Sequence, residues 1–179
     1  MAFFNWKGIF IVGLSLILNS NSFSQGYNSV VISEIMVDPT PVVGLPAIEY
    51  TELYNRSGQA LSLKNWKLVI GTRTAVFPDS VIQPEEYVLL CNKVNAASFN
   101  GFGKIIPLST FSLPNTAGTI SLYRPGNNLV FSVSYESSWW SSDKRAGGYA
   151  IEMIDSDNPC GEQNNWKVSE DPLGGTRRK

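Results

Sequence analysis

The stretch EYTELYNRSG, residues 49–58, sets Glu49 and Glu52 three apart in a run of tyrosines that stops at Asn55-Arg56-Ser57-Gly58. Two readings compete: a working carboxylate pair, or the polar residues of a strand that runs into a turn. In a strand, Ile48, Tyr50, Glu52 and Tyr54 share one face, and Glu49, Thr51 and Leu53 share the other. Residues three apart then point to opposite sides. Paired acid–base work needs two carboxyl groups about 5–9 Å apart on one side of a cleft, so the strand reading denies these two a joint task. Glu52 is expected to accept hydrogen bonds beside the turn, where Asn55 and Gly58 supply turn conformations.

The same habit continues outward from this stretch. On its N-terminal side, SVVISEIMVDPTP is a β-branched run closed by a breaker. On its C-terminal side, NWKLVIGTRTAVFP predicts a hairpin, Trp66 to Ile70 and Arg73 to Phe77, around Gly71-Thr72, with glycine first in the loop as a type II′ turn prefers. EEYVLLCNK follows a turn at Pro84. Thr119 to Arg124 and Leu129 to Tyr135 flank PGNN, and GYAIEMID and NWKVS are the last candidates. Residues between Cys91 and Thr116 read as loops or short helical turns. No window carries a helical period, which argues against a βαβ architecture. Short strands with turn signals about every ten residues predict an all-β domain, either an immunoglobulin-like sandwich or a small barrel.

Bulk composition agrees with this. The chain has 179 residues, enough for one domain with a proper core, and its 15 glycines and 10 prolines punctuate short elements. A formal net charge of -1 without a long basic block excludes an electrostatic footprint for nucleic acid. Residues 1–24 read as a secretory signal peptide: Lys7 in a short n-region, an apolar stretch from Ile9 to Leu18, and Ser22 and Ser24 placed as at a cleavage site. The apolar stretch is too short to span a bilayer, and no cysteine lies near the cut to carry a lipid. The expected location is secreted or extracytoplasmic. There, the two cysteines, Cys91 and Cys160, are expected to pair as a disulfide, the alternative being two separate thiols.

The chain contains no histidine, which removes the usual general base, the Ser-His and Cys-His nucleophile pairs and the commonest metal ligand. Two cysteines alone cannot close a zinc site. DSDNPCGE gathers Asp155, Asp157, Asn158 and Glu162, but Pro159 and the glycine spacing spoil a calcium loop; an acidic turn braced by Cys160 is the expectation. No catalytic residue, metal or cofactor is assigned. Trp139 and Trp140 are the binding candidates, because adjacent indoles after a strand point in different directions: one fills the core while the other stays near solvent, where it can stack on a sugar or anchor a protein. The competing reading, and the favoured one, is that both cover the open end of the sandwich.

VVISEIMVDPTP, EYTELYNRSGQALSLKNWKL, PEEYVLL, SLPNTAGTISLYRPGNNLVFSVSY and NWKVSEDPLGGT, in that order, resemble the lamin tail domain as found in secreted bacterial proteins. The resemblance implies an immunoglobulin-like β-sandwich over residues 27–176, closed near its end by NPCGEQNNWKVSEDPLGGT. It also implies a module that is non-catalytic and usually carried beside other domains. Residues 177–179 form a basic tail where such bacterial versions continue with a Pro-Gly linker. The expected core is Ile32, Ile35, Leu53, Trp66, Leu68, Val88, Leu90, Ile120, Leu122, Val133 and Ile151.

The reading is therefore a secreted, non-catalytic β-sandwich module for protein or cell-envelope interaction. Its partner is a protein or a cell-surface glycan, with neither nucleic acid nor a transmembrane anchor after signal cleavage. The alternative is an accessory domain of a secreted hydrolase whose catalytic part is absent from this chain. An enzyme in its own right would need a carboxylate pair assembled across strands.

Overall fold

The turn at Gly71-Thr72 shows how local chemistry sets the architecture. In the computed structural model, which describes residues 26–176, strands β4 (Lys67–Ile70) and β5 (Arg73–Val76) pair antiparallel with Ile70 opposite Arg73. Gly71, at φ +57, occupies the first loop position, where a side chain would be strained. The expected signal peptide at 1–24 and basic tail at 177–179 lie outside the described residues.

The remaining strands are β1 (Val30–Met36), β2 (Tyr50–Asn55), β3 (Leu61–Ser62), β6 (Val81–Ile82), β7 (Tyr87–Asn92), β8 (Lys104–Leu108), β9 (Ala117–Arg124), β10 (Asn128–Glu136), β11 (Ile151–Met153) and β12 (Trp166–Val168). They form a six-stranded sheet in the order β12-β11-β1-β2-β7-β8, a four-stranded sheet in the order β10-β9-β4-β5, and the small pair β3-β6. The two large sheets make a β-sandwich of immunoglobulin type. Among the described residues no helix is long and apolar enough to cross a membrane.

Every expected core residue, from Ile32 through Ile151, is buried in one cluster contributed by both sheets. Strand alternation explains the selection. On β7, Val88 and Leu90 enter this core, while Leu89 and Cys91 belong to a second cluster on the other face. An antiparallel sheet often leaves that second face wet, but here chain outside the strands covers it. The 3-10 helix Lys93–Phe99 sets Phe99 edge-on against Tyr50, centroids 5.6 Å apart at 78°, a contact that contributes about 0.5–1.5 kcal/mol beyond burial. Leu45 packs beside them, and the segment after β12 closes over the end. There, Ala150 N–H donates to the Gly174 carbonyl at 2.7 Å and Leu45 N–H to the Leu173 carbonyl at 3.2 Å. All seven residues of β1 are consequently buried.

Three strands depart from the sequence reading. β3 and β6 have two residues each, too few for any periodic signal. β8 lies where loops or helical turns were expected, because Pro107 and the flanking glycines mask it. It pairs parallel to β7 with Pro107 beside Cys91, and proline is tolerated there because β8 is a sheet edge.

Candidate functional site

Two places in this frame bring chemistry-bearing residues together: a buried row of carboxylates and an open groove. The row arises from strand register. Glu34 on β1 stands opposite Glu52 on β2 and Glu152 on β11, so three glutamates line up on one face of adjacent strands, about 5 Å apart at Cβ. All three are buried. Glu52 accepts from Ser33 Oγ at 2.7 Å. Glu34 accepts from Tyr50 OH at 2.5 Å, and from the backbone N–H and the hydroxyl of Thr176 at 3.1 and 2.8 Å. Gly175 passes so close that a Cβ there would run into the Glu34 carboxylate and the Tyr50 hydroxyl.

Sequence reasoning weighed Glu52 against Glu49 and missed this row, whose members lie far apart in the chain and meet only through register. The row is sealed. The space beside Tyr50, Glu52 and Thr176 is about 10 Å³, less than a substrate needs and about a single water's worth. Among the described residues no group of three or more His, Cys, Asp or Glu is placed to hold a metal ion. Burial, followed by the neighbouring Glu34 carboxylate, pushes the Tyr50 phenol well above its ordinary range, so Tyr50 stays a donor to Glu34. Glu49 sits before β2 and accepts from Leu113 N–H at 2.8 Å. It borders a hollow of about 390 Å³ together with Asp38. The Asp38 carboxylate is itself taken up by Thr40, through the backbone N–H at 3.3 Å and the hydroxyl at 3.1 Å.

The groove is formed by the tryptophan doublet. The short 3-10 turn Ser137–Trp139 follows β10 and splits the two indoles. Trp140 is 4% exposed, donates its indole N–H to the Tyr149 carbonyl at 2.8 Å, and stands edge-on to Tyr135. It is a core residue, so the expectation of a binding role for Trp140 is corrected. Trp139 is half-buried and turns the other way, toward Trp166, with centroids 6.2 Å apart at 37°. Together with Tyr27, which is 61% exposed, they wall a groove of about 610 Å³ between β10 and the turn that feeds β12. Two edges meet here: β10 ends the four-stranded sheet and β12 ends the six-stranded one. Its charged lining residues are Glu136 and Glu162, with no lysine or arginine.

Cys160 also lines this groove, and both cysteines are free. The expected Cys91–Cys160 bridge is not formed. Cys91 is buried under the 3-10 helix on β7, in the row of Tyr50 and Met36, whereas Cys160 is exposed at the other end of β1, its Sγ accepting from Asn28 Nδ2 at 3.5 Å; from Met36 to Val30 alone the strand runs roughly 20 Å. A disulfide spans a Cα separation of no more than about 7 Å. Burial raises the Cys91 thiol above its usual range, which keeps it protonated and unreactive. The acidic turn exists, but its brace is Asn165 and not the cysteine. Asp155 N–H donates to Asn165 Oδ1 at 2.8 Å, and Asn165 Nδ2 donates to the carbonyls of Asp155 and Asn158 at 2.8 and 2.7 Å.

A family model described as Lamin Tail Domain matches residues 24–137. That span covers β1 through β10 and stops two residues short of Trp139. No curated protein matches the chain.

Proposed function

The chain belongs to the lamin tail domain family, and from that premise we propose that it is an exported, non-catalytic interaction module whose partner docks in the groove between β10 and the β12 edge. The family is an immunoglobulin-like module that is generally non-catalytic. What supports a binding role here is the contrast between the two places where chemistry gathers. The carboxylate row faces a space of about 10 Å³, whereas the groove offers about 610 Å³ walled by Trp139, Trp166 and Tyr27. A half-buried indole such as Trp139, backed by the buried Trp166, is the kind of side chain that often anchors a partner, and the volume falls in the range of about 300–1,000 Å³ typical of ligand sites.

The doublet itself supplies the test. Trp139→Ala, half-buried against the core, is expected to lower the thermal midpoint of the full chain far less than Trp140→Ala while lowering its retention on an isolated cell-envelope fraction at least about tenfold. Trp140→Ala is expected to lose about 3–5 kcal/mol of stability, as a buried aromatic does. Unchanged retention of the Trp139→Ala chain, or no retention of the unaltered chain, would remove the support for this reading.

A further inference from the structure

We propose that the groove takes an extended polypeptide segment that adds as a strand to the free edge of β10 and carries basic residues; this rests on the groove being the partner site. β10 is the end strand of its sheet and the longest strand, with nine residues. Its ladder fixes which backbone groups face outward. Ser134 stands opposite Thr119, and the Thr119 carbonyl is turned away from β10 to accept the N–H of Gly71 at 3.2 Å. The Thr119–Ser134 pair is therefore a non-hydrogen-bonded one, and the N–H and carbonyl of Ser134 point away from the sheet. Alternation gives Ser132 the same direction. Both residues line the groove.

The edge already accepts one rung of this kind. Asn28 N–H donates to the Val130 carbonyl at 2.7 Å, and beyond it, among the described residues, no backbone group pairs with the outer side of Ser132 or Ser134. Their hydroxyls do not compete, because each is matched across β9: Ser132 Oγ to Ser121 Oγ and Ser134 Oγ to Thr119 Oγ1, both at 2.8 Å.

The other three edges carry the devices that block strand addition. β5 is four residues long and bears Arg73, β8 bears Lys104 and Pro107, and β12 has three residues including Lys167. β10 has no proline, lysine or arginine, and its bulge lies at Leu129–Phe131, before Ser132 and Ser134; an open strand edge beside an aromatic wall is the arrangement used to bind extended peptides. Alternate side chains of the added strand would meet Trp139 and Trp166. Glu136 and Glu162, the charged residues of the lining, select lysine or arginine for the others.

A phage library of random dodecapeptides, selected on the full chain, tests this. Enriched peptides should alternate apolar and basic residues. N-methylation at the positions that pair with β10 should weaken binding at least about tenfold, since it removes the donors and keeps the side chains. Ser134→Pro should do the same at unchanged thermal midpoint, because an outward N–H on an edge strand is a place proline is tolerated. The proposal is overturned if no peptide is enriched, if N-methylated peptides bind equally well, or if the unaltered chain dimerises through β10 and Ser134→Pro makes it monomeric. Retention on the envelope fraction separates the two readings. Loss with Trp139→Ala but not with Ser134→Pro would leave the groove standing and strand addition refuted, as for a glycan stacked on the indoles. Wild-type retention of both variants would refute both.

Discussion

Asn55 is the residue on which the stretch 49–58 turns. Its side chain is fully buried and donates to the carbonyls of Gln59, Ile82 and Gln83 at 2.8, 3.2 and 2.8 Å, while its oxygen accepts from the N–H and hydroxyl of Ser57 at 3.0 and 2.6 Å. Asn55→Ala leaves those buried groups without partners, and urea denaturation should register a loss of about 2–3 kcal/mol. The tyrosines give a pH-dependent counterpart. Burial, then Glu34, raises the Tyr50 phenol, and burial, then Glu49, raises that of Tyr135. Both groups titrate at higher pH folded than unfolded, so their contribution is complete below the ordinary phenol value of about 10 and is lost as pH rises above it. Stability measured from pH 8 to 12 should fall along the alkaline limb, less steeply in Tyr50→Phe and Tyr135→Phe. Glu49 and Glu52 do end in different surroundings, Leu113 N–H for one and Ser33 for the other, but Glu49 lies before β2, so the strand period invoked for it does not apply. The hub role of Asn55 was not legible in the sequence, since its acceptors, Gln59, Ile82 at the end of β6 and Gln83 after it, are brought to it only by the folded chain.

Among elements, the β4–β5 hairpin was the most legible because its signal is local. Gly71 needs its positive φ, and a Cβ there meets open space. Gly71→Ala is therefore expected to cost about 1–2 kcal/mol from backbone conformation alone. Gly58, equally open and with no positive φ, should accept alanine within about 0.5 kcal/mol; thermal midpoints of the two variants check the pair. β8 was illegible for the converse reason. Its partner β7 is reached by a crossover through residues 93–103, and its edge position admits Pro107, which in isolated sequence argues against a strand. The missing disulfide belongs to this scale as well. Oxidising surroundings make pairing favourable in principle, but strand register sets Cys91 in the Met36 row while Cys160 lies against Asn28 at the opposite end of β1.

At the scale of the whole molecule, the six-stranded sheet is buried on both faces, and this decides where function can reside. One face meets the second sheet; the other is covered by Leu45, the 3-10 helix Lys93–Phe99 and the closing segment that hands Thr176 to Glu34. Carboxylates that strand register brings together are sealed by that cover, while the side where the two sheets end apart stays open around Trp139. The core followed from apolar alternation, whereas strand order carries no local signal, and the split of the tryptophan doublet was the less favoured of two readings. The groove itself was hidden, because Tyr27, β10 and Trp166 converge from both ends of the domain. The most direct measurement compares Trp139→Ala with Glu34→Gln in the full chain, following thermal midpoint and retention on the envelope fraction together. The expected result is a double dissociation: Trp139→Ala folded but unretained, and Glu34→Gln retained but less stable by about 1–3 kcal/mol through its weakened bonds to Tyr50 and Thr176. Loss of retention in Glu34→Gln at an unchanged midpoint, with Trp139→Ala retained as the unaltered chain is, would contradict it.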